Sequence, residues 1–503
     1  MNFFTSIKNK VSLADSFIIR PDRSIITYGH MSDLSGQFAT FLNRLGINRG
    51  DRLMMYANKS PEALIAYVAC LRAGIIFVPI NPAYTKAELE YFIQNAQPKA
   101  IVVDANNEVS VRSIINQIGA SVQILCIDKN YESLLRETQK ITTSFEEVAC
   151  EDETIAAIVY TSGTTGRSKD AMITHGNLRS NAETLRDIWR FSQKDVLLHA
   201  LPIVHAHGLF VATNVTLVAG SSMIFISNFD VDEVIKHISD ATVMMGVPTF
   251  YTLLLQDDRL VPDLVKHVRL FISGSAPLLP ETHREWFEKT GHMILDRYGM
   301  TETGVITSNP YEGERVPGTV GLPLPGISVR IVDQSTGDPL SQGEIGLIEV
   351  KGPNVFRGYW QMPEKTGEEF RSDGFFITGD LGFIDQKDYV HIVGRQKDLI
   401  ITCGLNVYPK EIEERLNKIR GVAESAVIGV PHHDFGEGVV AVVATKSTAL
   451  SEKDLSAELK NDLAQYKMPL KIILTDALPK NTVGKVQKSL LRSTYNNIFS
   501  TKI

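Results

Sequence analysis

A loop rich in glycine and hydroxyl side chains, Tyr160-Thr-Ser-Gly-Thr-Thr-Gly-Arg-Ser-Lys169, is the segment best equipped for chemistry. Gly163 and Gly166 let the backbone come close to a ligand and turn its N–H groups inward. Thr161, Ser162, Thr164 and Thr165 add hydroxyls, and Lys169 adds a cation, so the donor set suits phosphate oxygens. The spacing does not fit the GxxxxGK[ST] pattern of a Walker A loop, and a plain Ser/Thr/Gly turn would have the same composition. His205-Ala-His207 is a second candidate. On a strand, alternate residues share one face, but two imidazoles without a third ligand make a weak metal site. Cys70, Cys126, Cys150 and Cys403 have no spacing that suits a metal or a disulfide framework, which points to a reducing compartment.

The loop resembles the signature of the adenylate-forming superfamily: acyl-CoA synthetases, luciferases and peptide-synthetase adenylation domains. Further motifs match in order: Tyr298-Gly-Met-Thr-Glu302, Thr378-Gly-Asp380, Gly394-Arg395 with Lys397-Asp398, and Pro479 followed by Gly484-Lys485. The resemblance spans essentially the whole chain. It implies an α/β fold: a large N-terminal domain of two βα-layered sheets plus a distorted β-barrel, and a small mobile α+β C-terminal domain. The substrates implied are ATP, CoA and a carboxylic acid, with Mg²⁺ as cofactor. By resemblance, the segment from Thr161 to Lys169 cradles the β- and γ-phosphates. Thr301 contacts the α-phosphate, and Glu302 holds Mg²⁺. Tyr298 stacks on adenine beside the backbone of Gly274, Ser275 and Ala276. Asp380, assisted by Arg395, accepts the ribose hydroxyls. Lys485 bridges the carboxylate and the α-phosphate, Lys397 is the hinge, and Gly404 and Asn406 belong to the loop that faces the site during thiol transfer.

A narrower resemblance lies in Ala200-Leu-Pro202, Met245-Gly-Val-Pro-Thr-Phe-Tyr251, Ser273-Gly-Ser-Ala-Pro-Leu278, Thr282-His-Arg-Glu-Trp286 and Asn406-Val-Tyr-Pro-Lys-Glu411. Together these resemble the malonyl-CoA synthetase branch. His205 would then gate the acyl pocket, with Met300 beside it. A dicarboxylate needs a second anchor, because a buried carboxylate is costly unless paired and arginine pairs it through two bonds. Arg284 is the candidate, with Arg297 as its rival. Three positions depart from the branch. Asp170 replaces a glycine and is expected to repel the triphosphate or partly neutralise Lys169. Ala206 replaces a threonine and Val305 a methionine, and both changes remove volume near the acyl group. The reading is an ATP-dependent ligase for malonate or C2-substituted malonates. The alternatives are a ligase for a monocarboxylic acid and a non-catalytic nucleotide or acyl binder.

These residues need a scaffold, and the first half of the chain alternates strand and helix patterns. Strands are expected at 52–57, 75–80, 99–103, 122–127, 154–160, 242–245 and 269–272, and helices at 61–72, 86–95, 177–190 and 280–290. Such alternation predicts parallel sheets covered by helices. After about residue 315, short strands with Gly and Pro turns predict an antiparallel or barrel segment. Beyond residue 395 the pattern becomes a compact α+β unit with strands at 426–430 and 438–445 and a helix at 452–465, so the domains are set at 1–395 and 396–503. With 503 residues the chain exceeds one core's usual size. A net charge of −7 argues against a nucleic-acid partner. The apolar stretch 63–80 carries one charge, Arg72, and is broken at Gly74, so a buried helix and strand are expected rather than a membrane span. The apolar part of the N-terminus is too short for a secretory leader, and a cytoplasmic location is expected.

Overall fold

The computed structural model describes residues 1–8, 10–127, 138, 141, 145–161, 169–402, 405–432, 434–445, 450–460, 463–481 and 484–499. Ser162, Gly163, Thr164, Thr165, Gly166 and Gly404 lie outside the described residues.

Two large sheets form the first two layers. The six-stranded sheet runs Gln123–Ile127, Ala100–Asp104, Arg52–Tyr56, Ile76–Pro79, Ile155–Thr161, Lys169–Thr174; all neighbours are parallel except the last pair. The nine-stranded sheet has a parallel centre, Leu295–Met300, Leu270–Ser273, Val243–Gly246, Val196–His199, Ser222–Phe225 and Ser16–Ile19, with antiparallel strands at both edges. Parallel strands are buried on both faces. Ile76–Pro79, Leu270–Ser273 and Val243–Gly246 are buried at every position.

The helix Pro61–Ala73 is buried at all but its first residue. Ser60 caps its start, accepting from the Ala63 N–H at 3.2 Å, and Gly74 ends it in the left-handed conformation at φ 65°. Its 13 residues are too few to span a bilayer, and no helix among the described residues is long and apolar enough to do so.

Ser328–Val332, Gly346–Lys351, Phe376–Ile384 and Val390–Arg395 form a four-stranded antiparallel sheet where the barrel was expected. The C-terminal unit is a five-stranded sheet built on the long hairpin Val422–His432 and Gly436–Thr445, with its own apolar core. Two expectations change. The helix foreseen over 452–465 ends at Leu459. The segment after His205 is not a strand: His207–Thr213 is a π-helix, so the strand argument for aligning the two histidines does not apply.

Candidate active site

The functional residues cluster because parallel strands end on one side. In open α/β sheets, the crevice beyond the strands' carboxyl ends is where ligands bind. Thr161 ends Ile155–Thr161, Gly274 follows Leu270–Ser273, Thr301 and Glu302 follow Leu295–Met300, and Ala200 follows Val196–His199.

Asp380 organises one side of the crevice. It is 3% exposed, and its Oδ1 accepts from Arg395 Nε at 2.7 Å. The Tyr298 hydroxyl donates to Oδ2, and the Asp380 N–H donates to Thr378 Oγ1 at 3.0 Å. Antiparallel pairing sets Asp380 opposite Arg395, which is why two residues fifteen apart in sequence meet. Burial and the Asp380 carboxylate hold the Tyr298 hydroxyl pKa well above its ordinary value.

Lys169 and Glu302 share a second cluster. The Lys169 ammonium pairs with Glu369 and lies 5.2 Å above the Tyr359 ring. The Tyr359 hydroxyl donates to Glu369 Oε2 at 2.6 Å and lies 3.2 Å from Glu302 Oε1. Burial raises the Glu302 pKa. Among the described residues no group of three or more His, Cys, Asp or Glu could hold a metal alone. A Mg²⁺ ion that takes most of its ligands from phosphates and water needs only one or two carboxylates, and buried Glu302 fits that need. Thr301 and Met300 border this region, half-buried.

Asp170 departs from its expected role. It is fully buried, no cation among the described residues pairs with it, and Asn95 is the side chain close enough to donate to it. Adjacent strand residues face opposite ways, so Asp170 turns from Lys169 toward Tyr160 and the helix Lys86–Ala96, while Lys169 is neutralised by Glu369. Burial pushes the Asp170 pKa up to about 7.

A third cluster is built from Arg297, Gly274, Ser275 and the two histidines. Arg297 is 5% exposed, and its Nε and Nη2 have no partner. A Cβ on Gly274 would lie 2.5 Å from the Arg297 Cζ, so only glycine lets the guanidinium lie there. Burial lowers the Arg297 pKa to about 10. Ser275, at φ 72°, is held in a conformation that L residues rarely adopt, and its Oγ sits 3.1 Å from His207 Nδ1. Nε2 of both His205 and His207 is buried without a partner. Burial lowers the His205 pKa to about 4 and, with Arg297 nearby, drives that of His207 well below its ordinary value. Both rings are therefore neutral at pH 7.

Arg284 is not part of this cluster. Thr282, His283 and Trp286 turn inward from the helix Pro280–Thr290, which leaves Arg284 outside, 64% exposed and paired with Glu281 at 3.0 Å. The rival, Arg297, has the buried position, and its signal in the sequence was its place on a strand just before Tyr298. Ala206, half-buried, and Val305, fully buried, join one apolar cluster with Tyr298 and Met300. Asn181 clamps the Val305 backbone, donating to its C=O at 2.9 Å and accepting from its N–H at 3.1 Å.

The C-terminal unit closes over the crevice. A Cβ on Gly484 would lie 3.0 Å from Thr249 Oγ1 at the start of Pro248–Leu255, so the Lys485 loop touches the large domain. Asn481 braces that loop: its Oδ1 accepts from the Lys485 N–H at 2.9 Å, and its own N–H donates to the Lys485 C=O at 2.9 Å. Crowding by protein, then Arg395, lowers the Lys485 pKa, although the side chain stays open to solvent. Lys397 lies in the short 3₁₀ turn Gln396–Asp398, and Asn406 is exposed on the strand Leu405–Val407.

Known proteins share this plan. The AMP-binding enzyme family model matches residues 8–360, and the AMP-binding enzyme C-terminal domain model matches 411–485. A malonate–CoA ligase of Arabidopsis thaliana is 32% identical over 92% of this chain and 81% of its own. A long-chain-fatty-acid–CoA ligase of Bacillus subtilis is 33% identical over 95% and 93%. The crystal structure of ATP-bound MatB from Rhodopseudomonas palustris is 52% identical and covers 99% of both chains, with a TM-score of 0.96, against 0.85 for its apo form. The chain, carrying the family's main and C-terminal domains in order, belongs to the AMP-binding enzymes.

Proposed function

We propose that this protein is an ATP-dependent acid–CoA ligase for malonate and C2-substituted malonates. A substrate carboxylate oxygen attacks the α-phosphorus of ATP, the bond to the β-phosphate bridge breaks, and pyrophosphate leaves. The thiol sulfur of CoA then attacks the acyl carbon, the proton goes to solvent, and AMP departs. Asp380 binds the ribose hydroxyls with Arg395 holding it in place, and Tyr298 lines the adenine beside Gly274, Ser275 and Ala276. Lys169 leaves Glu369 to meet the phosphates, Thr301 contacts the α-phosphate, and Lys485 offsets negative charge as the carboxylate approaches it. Glu302 would hold Mg²⁺, which screens the triphosphate when bound. We place the mobile domain at 396–503, with Lys397 as its hinge.

The curated relatives at 32–33% identity do not by themselves choose the acid, since malonate and fatty-acid ligases match about equally. The observation that carries the choice is Arg297: a buried guanidinium beside Gly274 and His207 with two unpartnered nitrogens. An unpaired buried charge is expensive. A monocarboxylate spends its only carboxylate at ATP and offers nothing to Arg297, whereas a malonate brings a second one. Arginine's planar fork matches it.

The test is pyrophosphate release with ATP across malonate, methylmalonate, ethylmalonate, acetate and octanoate, with and without CoA. The malonates should be used best. A clear preference for acetate or octanoate overturns the reading.

A further inference from the structure

Lys59 reaches across the molecule with no part yet assigned to it. It lies in the connection between Arg52–Tyr56 of the six-stranded sheet and the helix Pro61–Ala73. Its ammonium contacts three acceptors in the other sheet: Ile226 O at 2.6 Å, His199 O at 2.8 Å and His199 Nδ1 at 3.0 Å. It also lies 4.3 Å over the Phe225 ring. An ammonium has three hydrogens, and all are used here. His199 is 1% exposed, and its other nitrogen, Nε2, lies 2.9 Å from Gly208 O. That carbonyl also accepts from Thr213 Oγ1 at 3.0 Å, so it is tied at both ends of the π-helix.

Gly208 O can only accept, and with Thr213 Oγ1 donating to it both neighbours of His199 Nε2, Gly208 O at 2.9 Å and Thr213 Oγ1 at 3.2 Å, act as acceptors, which favours hydrogen on Nε2. Burial pushes the Lys59 pKa well below its ordinary value, but three acceptors within 3.0 Å favour the ammonium, which donates to both carbonyls and has its third hydrogen for Nδ1. One positive charge on lysine with a neutral Nε2–H imidazole satisfies every group. Gly208 admits no side chain, since a Cβ there would lie 2.1 Å from Pro202 O, so the turn after Ala200 packs closely against the π-helix. His205 and His207 sit between these two fixed points.

We infer that Lys59 and His199 form a positioning relay for the acid pocket, tying the two sheets to the π-helical turn that aims His205 and His207 at the substrate. The inference rests on the proposed placing of those rings beside the acid. π-Helical turns are intrinsically rare and occur mostly at functional sites, and a turn with an extra residue needs outside bonds to stay in register.

Lys59→Met keeps the stem and removes the donors. His199→Phe keeps a ring without nitrogens, and His199→Gln restores a donor near the Nε2 position. The first two should raise the KM of the best acid about tenfold, in line with what a misplaced positioning group costs, while the ATP KM stays within about twofold. His199→Gln should recover a large part of the loss. A purely structural role would instead lower Tm with both KM values unchanged, or depress all parameters together, and either result overturns the relay. If the native enzyme rejects malonate yet activates a monocarboxylate, the substrate reading fails, and the relay is scored on that acid. Ring ¹⁵N NMR of the native protein gives a substrate-free readout: His199 should be the neutral Nε2–H tautomer with Nδ1 accepting. An Nδ1–H tautomer or an imidazolium refutes the relay even if the variants do not fold.

Discussion

At the scale of single residues, the site is a set of groups held away from their resting states in water. Arg297 keeps two nitrogens unpartnered beside the Asp296 carboxyl, His205 and His207 are buried and neutral, and the buried Asp170 carboxyl has Asn95 as its nearby donor. The Arg297 position depends on a missing atom. Gly274→Ala would place a methyl 2.5 Å from the guanidinium carbon and push it off its seat. Malonate KM should rise strongly, whereas the melting temperature should move little, because a displaced guanidinium can reach water. Unchanged malonate kinetics would remove Arg297 as the anchor. Asp170 makes the opposite kind of prediction. Its pKa in the fold is about 7, above the ordinary carboxylate value of 3.8, so the folded state binds the proton more tightly than the unfolded one. Its contribution is complete below the unfolded pKa and is lost as pH rises through about 7. Asp170→Asn should therefore raise the melting temperature at pH 8 and give little gain at pH 4. Because the carboxylate faces away from Lys169, Asp170→Gly should leave the ATP KM nearly unchanged. A marked fall in that KM would restore the idea that its charge opposes the phosphates.

Elements turn these residues toward one crevice, and here the sequence was most and least informative. Apolar runs made five strands of the six-stranded sheet, and Val243–Gly246 and Leu270–Ser273 of the nine-stranded one, readable to within a residue, whereas the other strands of the larger sheet were not foreseen. Helix periodicity also held the answer for Arg284: Thr282, His283 and Trp286 mark the inner face of Pro280–Thr290, and Arg284 lies outside it. Alternation would likewise have turned Asp170 from Lys169 once Lys169–Thr174 was taken as a strand rather than part of a loop. The π-helix was not legible, because one extra residue per turn leaves no apolar period of its own and its register is set by distant groups. Nor could composition reveal that Arg297 is unpaired, since pairing depends on every neighbouring strand. In the proposed reading the pocket wall comes from two of these elements, the π-helical entry at Ala206 and the strand Gly304–Ser308 at Val305. If both line the acyl site, Ala206→Thr with Val305→Met should cost methylmalonate and ethylmalonate more kcat/KM than malonate. One methylene is worth about 1–3 kcal/mol of discrimination, so specificity should narrow rather than invert. Overpacking a fully buried position costs about 1–3 kcal/mol of stability as well, so melting curves must accompany the kinetics. Unmoved ratios in a folded variant would exclude these positions from the pocket.

At the scale of the whole molecule, the proposed mechanism makes this arrangement the one for the first half-reaction. The Lys485 loop rests on Thr249, and the Lys485 ammonium feels Arg395 and Asp380 across the domain boundary. The Lys410 ammonium donates to Ile392 O, a latch across the proposed hinge, while Arg492 pairs with Asp398 inside the C-terminal unit. A latch of this kind must break if the small domain turns to admit CoA. Lys397→Pro would fix φ near −65° and remove an N–H, stiffening the 3₁₀ turn Gln396–Asp398. Adenylate formation should then persist while thioester formation falls. Lys485→Ala should have the reverse effect: adenylate formation collapses, and CoA transfer from a supplied acyl-adenylate remains, because the ammonium offsets charge only while the carboxylate approaches the triphosphate. Each half-reaction is measured separately, the first as ATP–pyrophosphate exchange and the second as thioester formed from synthetic acyl-adenylate. The two variants together discriminate more sharply than either alone. A hinge and a charge-bearing lysine predict opposite splits, whereas general damage to the C-terminal domain predicts the same loss in both assays for both variants. Equal losses in folded protein would therefore remove the domain rotation and the role of Lys485 from the mechanism in one result.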